Sequence, residues 1–404
     1  MKVNNVGINQ DKTQEANRSL VIRLLQKKGP CSRAELARLT QLTQATITNI
    51  VSELIRNELV EEIGFDSNEM PGRRSILLKI RGERFCVIAI KIARTRYTVG
   101  VFNLSGRELE HKTMEVKDVM TPQDILLDIK AKADDYRGRY SRILAVGIAV
   151  PGPYLKSTGK IAMITEARCW NNLDIPAAFS ELFTEPVFVE HDANAGAMAN
   201  WWFGDFPQDV KVLCHMLLSE GVGVGVVENG ELVLGQQGTA GEIGHVSVNV
   251  DGPLCQCGNR GCLELYCSAI ALKKNVLANL HAFPESSLAC LSNISYADIF
   301  KAMNEGDQLA IDMVEQCARY IGYGIVNIVN AYNPGLIVLS DIMTQGGKRM
   351  LDIVKATAKE RILPELYEGL TICYSRGTTD AVLAGAAAIA TDHIIREPRQ
   401  YLLK

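Results

Sequence analysis

Residues 235–266 read GQQGTAGEIGHVSVNVDGPLCQCGNRGCLELY. His245, Cys255, Cys257 and Cys262 fall within this stretch, with Glu242 and Glu264 just outside the four. One imidazole and three thiols at this density match the ligand count of a closed tetrahedral zinc site. Two Cys separated by one residue require a sharply turned backbone, and Gly258 and Gly261 allow positive φ where the chain reverses. With all four positions taken by protein there is no open place for water, so the expected Zn2+ is structural and not hydrolytic. The alternative is four unrelated residues in a loop, which such a concentration of Cys in a reducing compartment argues against.

Working outward, the 404 residues are 47% hydrophobic and 22% charged, an ordinary globular composition. Their length suggests two or three domains. No run of 18 apolar residues is present, so no membrane partner is expected. The N-terminal stretch MKVNNVGINQDKTQEANRS has no apolar core of a leader peptide. Eleven Cys, an odd number dispersed over the chain, fit a reducing cytoplasm better than a disulfide framework. Residues 1–80 carry 12 Lys+Arg against 9 Asp+Glu and the remainder 31 against 37, a net +3 on a body of net −6. A basic module on an acidic body hints at a polyanion-binding end.

That module has a readable plan. Apolar residues at 20, 21, 22, 24 and 25 predict a helix over Ser19–Lys28, stopped by Gly29-Pro30. Ser32 with Glu35 three residues on is a capping box for a second helix. Thr43 caps a third, from Gln44 to Asn57, whose Ile47, Ile50, Val51 and Leu54 must face inward. The outward face is then Gln44, Ala45, Thr46, Thr48, Asn49 and Ser52. A merely solvated face usually carries Lys and Glu. Short amide, hydroxyl and methyl groups instead suit a helix in a DNA major groove, where amides pair with adenine edges and methyls touch thymine. Strand-like segments at 59–63 and 75–80 flank Gly72-Arg73-Arg74, a wing whose Arg73 and Arg74 suit a narrow, A·T-rich minor groove. Together these predict a winged helix-turn-helix over residues 1–80. A single module makes few contacts, so the expected partner is pseudo-palindromic operator DNA bound by a homodimer, or by a pair of dimers.

From Phe85 onward strands and helices alternate. Strand patterns occur at 86–90, 97–102, 143–150, 187–190, 212–218, 223–227, 336–339 and 370–373. Helical patterns occur at 122–137, 307–332, 346–359 and 380–395, with a small-residue helix after Asn194. The body therefore reads as α/β in two lobes.

At this point the residues resemble a known family. Gly221 to His245 follows GxGxGxVxxGxxxxGxxGxAGEIGH, and Cys255 to Glu264 follows CxCGxxGCxE. Asp192 after a strand, Pro151-Gly152-Pro153 and Asn333-Pro334 also take their expected places. This is the pattern of the ROK family of repressors, open reading frames and kinases; with its head, nearly the whole chain is similar to the repressor branch that includes the xylose repressor. The resemblance implies a two-lobed actin-like ATPase-type body, with a smaller lobe over 81–195 onto which a C-terminal helix 386–404 packs back, and a larger lobe over 196–385. It also implies a zinc held by His245, Cys255, Cys257 and Cys262, and a sugar between the lobes. The sugar-holding residues of the family's kinases correspond to Asp192, Glu242, Glu264 and His245; carboxylates accept from vicinal hydroxyls, and a metal-bound imidazole keeps its other nitrogen as a donor. His191 stands where the family usually has Asn, and Asn171 is a further candidate from the loop below the cleft.

The resemblance also says what is missing. Kinases of this fold open the body with Asp-x-Gly-Gly-Thr, where this chain has Lys91-Ile92-Ala93-Arg94-Thr95. The second phosphate loop, normally Gly-Thr-Gly, is Ser219-Glu220-Gly221, with a carboxylate where a triphosphate would sit. The adenosine-side Gly-Gly is Ser340-Asp341. No catalytic residue is therefore assigned, and Asp192, a general base in a kinase, is expected here to accept a hydroxyl. The expectation is a sugar-responsive repressor of a carbohydrate-utilisation operon, set against a regulator controlled by a protein partner and, last, a sugar kinase carrying a DNA-binding head.

Overall fold

In the computed structural model, residues 10–65, 75–117, 120–162, 170, 173–207, 209–376 and 380–402 are described. Arg73, Arg74 and Asn171 lie outside them.

The head is built on three helices, Gln10–Lys28, Arg33–Thr40 and Gln44–Arg56. Ser32 Oγ accepts from the Glu35 N–H at 3.2 Å and Thr43 Oγ1 from the Thr46 N–H at 3.2 Å, so each of the latter two helices has one of its orphan donors satisfied. Val21, Leu36, Ile47, Val51 and Leu54 are wholly buried and make the shared core. The first helix begins nine residues before Ser19. Its early turns lack an apolar face and are held by polar contacts instead: Arg18 Nε donates to Glu53 at 2.8 Å, and Glu15 accepts from the Arg399 N–H at 2.9 Å. The strand Ile76–Ile80 pairs antiparallel with Val60–Phe65, Val60 opposite Ile80, and on its other side with the two-residue strand Cys31–Ser32.

The body holds two five-stranded sheets of one plan. The smaller-lobe sheet runs in space Val187–His191, Ile143–Val150, Cys86–Ile92, Arg96–Asn103, Glu108–Glu115; the larger-lobe sheet runs Thr371–Tyr374, Leu336–Ser340, Val212–Leu218, Val222–Glu228, Glu231–Leu232. Each begins with an antiparallel hairpin and then adds two parallel strands beside the first, through crossovers that contain helices. The central strands Cys86–Ile92, Ile143–Val150 and Leu336–Ser340 are largely apolar and buried on both faces. Glu108–Glu115, the return strand of the hairpin that starts with Arg96–Asn103, is a charged edge strand, mostly solvated. Short helices also form at Glu264–Cys267, Ala269–Asn279 and Tyr296–Asn304.

Between the sheets lie two helices. Asp192–Phe203 packs on the larger-lobe sheet, Ala381–Arg396 packs on the smaller-lobe sheet, and the two pack on each other. Their contact is lined with small residues. A Cβ on Gly385 would come within 2.2 Å of the Ala195 backbone, so the approach is possible only without a side chain there. No helix among the described residues is long and apolar enough to cross a membrane.

Candidate sugar site, metal loop and DNA face

The segment after the second strand of the larger lobe folds back on that strand. Val224 N–H donates to Gly241 O at 3.2 Å, and Gly241 sits at φ 93° with Val224 O where a Cβ would be. This contact delivers Glu242 to the cleft. One 3-10 turn, Ile243–His245, then separates Glu242 from His245 by three residues and turns both to one side.

The four proposed metal ligands converge. One ligand atom from each of His245, Cys255, Cys257 and Cys262 lies within 4.8 Å of all the others. Cys257 and Cys262 Sγ are 3.6 Å apart, and Cys255 Sγ is 3.7 Å from His245 Nδ1. A tetrahedral Zn2+ with Zn–S of about 2.3 Å sets its sulfurs about 3.8 Å apart, so the cluster has the span the ion needs. The loop is braced by its own backbone: Cys255 N–H donates to Asn259 O at 2.7 Å, and Leu263 N–H to Val246 O at 3.0 Å. Asn259 Nδ2 donates to His245 O at 3.0 Å. Burial pushes the Cys255 thiol up to about 12. A divalent cation is what would hold three sulfurs here as thiolates.

Glu264 opens the next short helix and connects the loop to the cleft, its Oε1 3.5 Å from His245 Nδ1 and 3.4 Å from Cys255 Sγ. The cleft has a volume of about 470 Å³, and Asp192, His191, Glu242, His245 and Glu264 all line it. Asp192 begins the helix Asp192–Phe203 and His191 ends the strand before it, with His191 Nε2 3.0 Å from Asp192 Oδ1. Burial opposes charge on His191, but Asp192, Glu242 and Glu190 overcome it and raise the imidazole to about 9. His191 is therefore an imidazolium at neutral pH. Glu242 is pushed upward, first by burial and then by Asp192 and Glu264, against the opposing pull of His191 and His245. Its Oε1 is buried and accepts no hydrogen bond from any described residue. An acceptor buried in this way is costly unless a donor arrives.

On the head, Gln44, Ala45, Thr48, Asn49 and Ser52 are exposed along one side of the third helix. Thr46 is half-buried and lies 2.9 Å, oxygen to oxygen, from Thr43. Thr48 spends its hydroxyl on Gln44 O at 2.8 Å, which leaves its methyl outward. Arg56 is exposed in the last turn of the same helix. The same cleft also brings together Lys91, Arg94, Glu220 and Asp341. The sequence marks these only as departures from phosphate loops, with no sign that they meet.

Comparison with known proteins gives a consistent picture. Residues 87–393 match the ROK family, and residues 15–61 match a winged helix-turn-helix DNA-binding family. The chain is 30% identical over 370 residues to the DNA-binding transcriptional dual regulator NagC of Escherichia coli K12, covering 91% of this chain and 90% of that one. It is 28% identical over 391 residues to the xylose repressor of Bacillus spizizenii, covering 95% and 96%. Among solved structures, a ROK family transcriptional regulator, homologous to the E. coli MLC protein, superposes with a TM-score of 0.80 at 28% identity, over 96% of this chain and 98% of that one. A ROK family glucokinase from Streptomyces griseus, in complex with glucose and AMPPNP, superposes with a TM-score of 0.67 at 26% identity. It covers 76% of this chain and 99% of its own, so the regulator match takes in the head as well as the body, and the kinase match does not.

Proposed function

The chain belongs to the ROK family and carries a winged helix-turn-helix head, and from that premise we propose that it is a sugar-responsive transcriptional repressor of a carbohydrate-utilisation operon. The observation that carries the sugar half is the buried Glu242 Oε1, without a partner among the described residues, in a cleft it shares with Asp192, His191, His245 and Glu264. Vicinal hydroxyls of a pyranose supply the donor that Glu242 lacks and bonds to Asp192 and Glu264. His245 belongs to both centres: Nδ1 faces the thiols, and Nε2 is left for a hydroxyl. A Zn2+ on His245, Cys255, Cys257 and Cys262 would hold His245 and Glu264 in place for the sugar. Gln44, Ala45, Thr46, Thr48, Asn49 and Ser52 are assigned to the operator major groove, and Arg73 and Arg74 to the wing. Two copies bind as a dimer.

The two helices between the lobes give the sugar a route to the head. Asp192–Phe203 begins in the sugar site and carries Trp201 in its last turn, with the ring centre 3.0 Å from Lys27 Nζ of the first head helix. Ala381–Arg396 begins beside the cleft and ends at Arg396, which pairs with Glu231 at 2.7 Å; Glu231 in turn lies 4.0 Å from Arg23 of the head. Within the body, Asn200 and Ser340 flank the buried His215 at 2.9 and 3.0 Å, tying the first of these helices to the larger-lobe sheet. A sugar that changes the lobe angle therefore displaces the base of the DNA-binding head. Only a difference in sugar affinity between DNA-bound and free forms produces release, and a coupling of about 1–3 kcal/mol weakens DNA binding about 5–150-fold.

We read the body as a sensor and not a kinase, because carboxylates of Glu220 and Asp341 line the compartment where a triphosphate would sit. The test is fluorescence anisotropy on a labelled duplex from the gene's upstream region at fixed salt, titrated with monosaccharides and their phosphates. Tight binding relieved by one sugar is the expected result. Binding that no sugar relieves moves control to a protein partner, and ATP-dependent phosphorylation of any sugar in the panel refutes the sensor reading.

A further inference from the structure

Lys91 is the last residue but one of the first strand of the smaller lobe, Cys86–Ile92, and is 8% exposed. Its Nζ lies 2.5 Å from Asp380 Oδ2 and 3.6 Å from Asp341 Oδ2. Asp341 follows the strand Leu336–Ser340 of the larger lobe. Asp380 caps the helix Ala381–Arg396, its Oδ1 accepting from Val382 and Leu383 N–H at 2.9 and 3.1 Å. A second pair crosses the same cleft. Arg94, at the turn of the smaller lobe's first hairpin, has Nε 3.7 Å from Glu220 Oε2 at the turn of the larger lobe's first hairpin. Lys91 and Arg94 belong to the smaller lobe and Asp341 and Glu220 to the larger, while Asp380 heads the helix that packs on the smaller-lobe sheet.

The backbone at Asp341 is the second observation. It has φ 72° and ψ −154°, a conformation that a residue with a Cβ rarely adopts. Glycine would take it without strain, so an Asp kept there is held by its side-chain contacts. Among the described residues its carboxylate pairs with Lys91, while its carbonyl accepts from Thr344 N–H and Oγ1 at 3.0 and 2.7 Å. Burial works against the charge on Lys91, but Asp380 and Asp341 outweigh it and hold the ammonium above the ordinary lysine value.

We propose that Lys91 with Asp341 and Asp380, and Arg94 with Glu220, form an ionic clasp that bridges the lobes across the cleft and sets the lobe angle of the effector-free protein. In place of a bound ligand, the chain's own side chains hold the two lobes together. Asp380 joins the clasp to the helix that ends against the head, so releasing it also loosens the head. This last step rests on the repressor reading; the clasp itself does not.

Hydrogen–deuterium exchange of the full-length protein, with neither DNA nor sugar present, tests the clasp separately from that reading. Lys91→Met keeps the length of the side chain and leaves Asp341 and Asp380 facing each other unneutralised. Exchange over 92–96, 219–222 and 341–343 is expected to rise about tenfold with the strand interiors unchanged, and Lys91→Arg should restore slow exchange. Asp341→Gly removes a carboxylate and also the backbone strain, so it should loosen the same segments with no fall in melting temperature. Wild-type exchange in both Lys91→Met and Asp341→Gly overturns the clasp. On labelled operator, Lys91→Met is expected to bind DNA at least fivefold more weakly without sugar. Unchanged DNA affinity in a variant whose cleft exchanges fast overturns the link to the head.

Discussion

Replacing His191 by Asn removes a cation that faces Asp192 and Glu242, and its effect can be worked out in advance. His191 is buried, and its imidazole is raised from the ordinary 6.5 to about 9 because Asp192, Glu242 and Glu190 outweigh burial. A raised folded-state value means the native protein holds a proton that the unfolded chain gives up. The stabilisation is then complete below pH 6.5 and is lost as pH rises through about 9. At 1.36 kcal/mol per pH unit it amounts to about 3 kcal/mol. Wild type and His191→Asn should therefore differ most in urea resistance at pH 6 and converge toward pH 9.5. The chain has six His, so selective ring labelling gives a spectrum simple enough to assign by loss of one signal in the variant. The His191 ring signal should titrate near 9. Buried His215, pushed down to about 4 by desolvation, should stay neutral to well below pH 6. A His191 ring that titrates at or below 6.5, or a stability difference that is flat from pH 6 to 9.5, refutes the charge balance assigned to the sugar site.

The metal loop predicts one zinc per chain by elemental analysis. Cys257→Ser should lose that zinc, lower the melting temperature and abolish the sugar response together; full zinc content in the variant would remove Cys257 from the ligand set. In the head, Asn49→Ala should cost about 1–3 kcal/mol of operator affinity if its amide reads an adenine edge, with unchanged melting and unchanged non-specific binding in an anisotropy titration. Trp201→Leu removes the ring beneath Lys27, a lysine that burial and Arg23 bring down to about 8. It should leave operator binding within a few-fold of wild type while blunting sugar release; full inducibility would exclude that helix as the route.

The residues of the metal loop, the capped helices of the head and most strands of both sheets are legible in the chain because each rests on local chemistry. A Cys-x-Cys turn, a Ser three residues before Glu, and an apolar repeat at 3.6 or 2 residues are short-range facts that survive any fold containing them. The head's third helix could be oriented from the sequence alone, since burying Ile47, Ile50, Val51 and Leu54 leaves only one face for Gln44, Asn49 and Ser52. Other features have no local signature. The strand Glu108–Glu115 is charged because it is an edge, and only its neighbours make it a strand. The early turns of the first helix are held by Glu53 and Arg399, distant in the chain. Lys91, Glu220 and Asp341 read one by one as lost phosphate contacts. That they oppose one another, and that Asp380 lies 289 residues from Lys91 yet bonds to it, follows from two sheets facing across a cleft. Charge complementarity at such separations is set by how the lobes pack, and no periodicity along the chain encodes it.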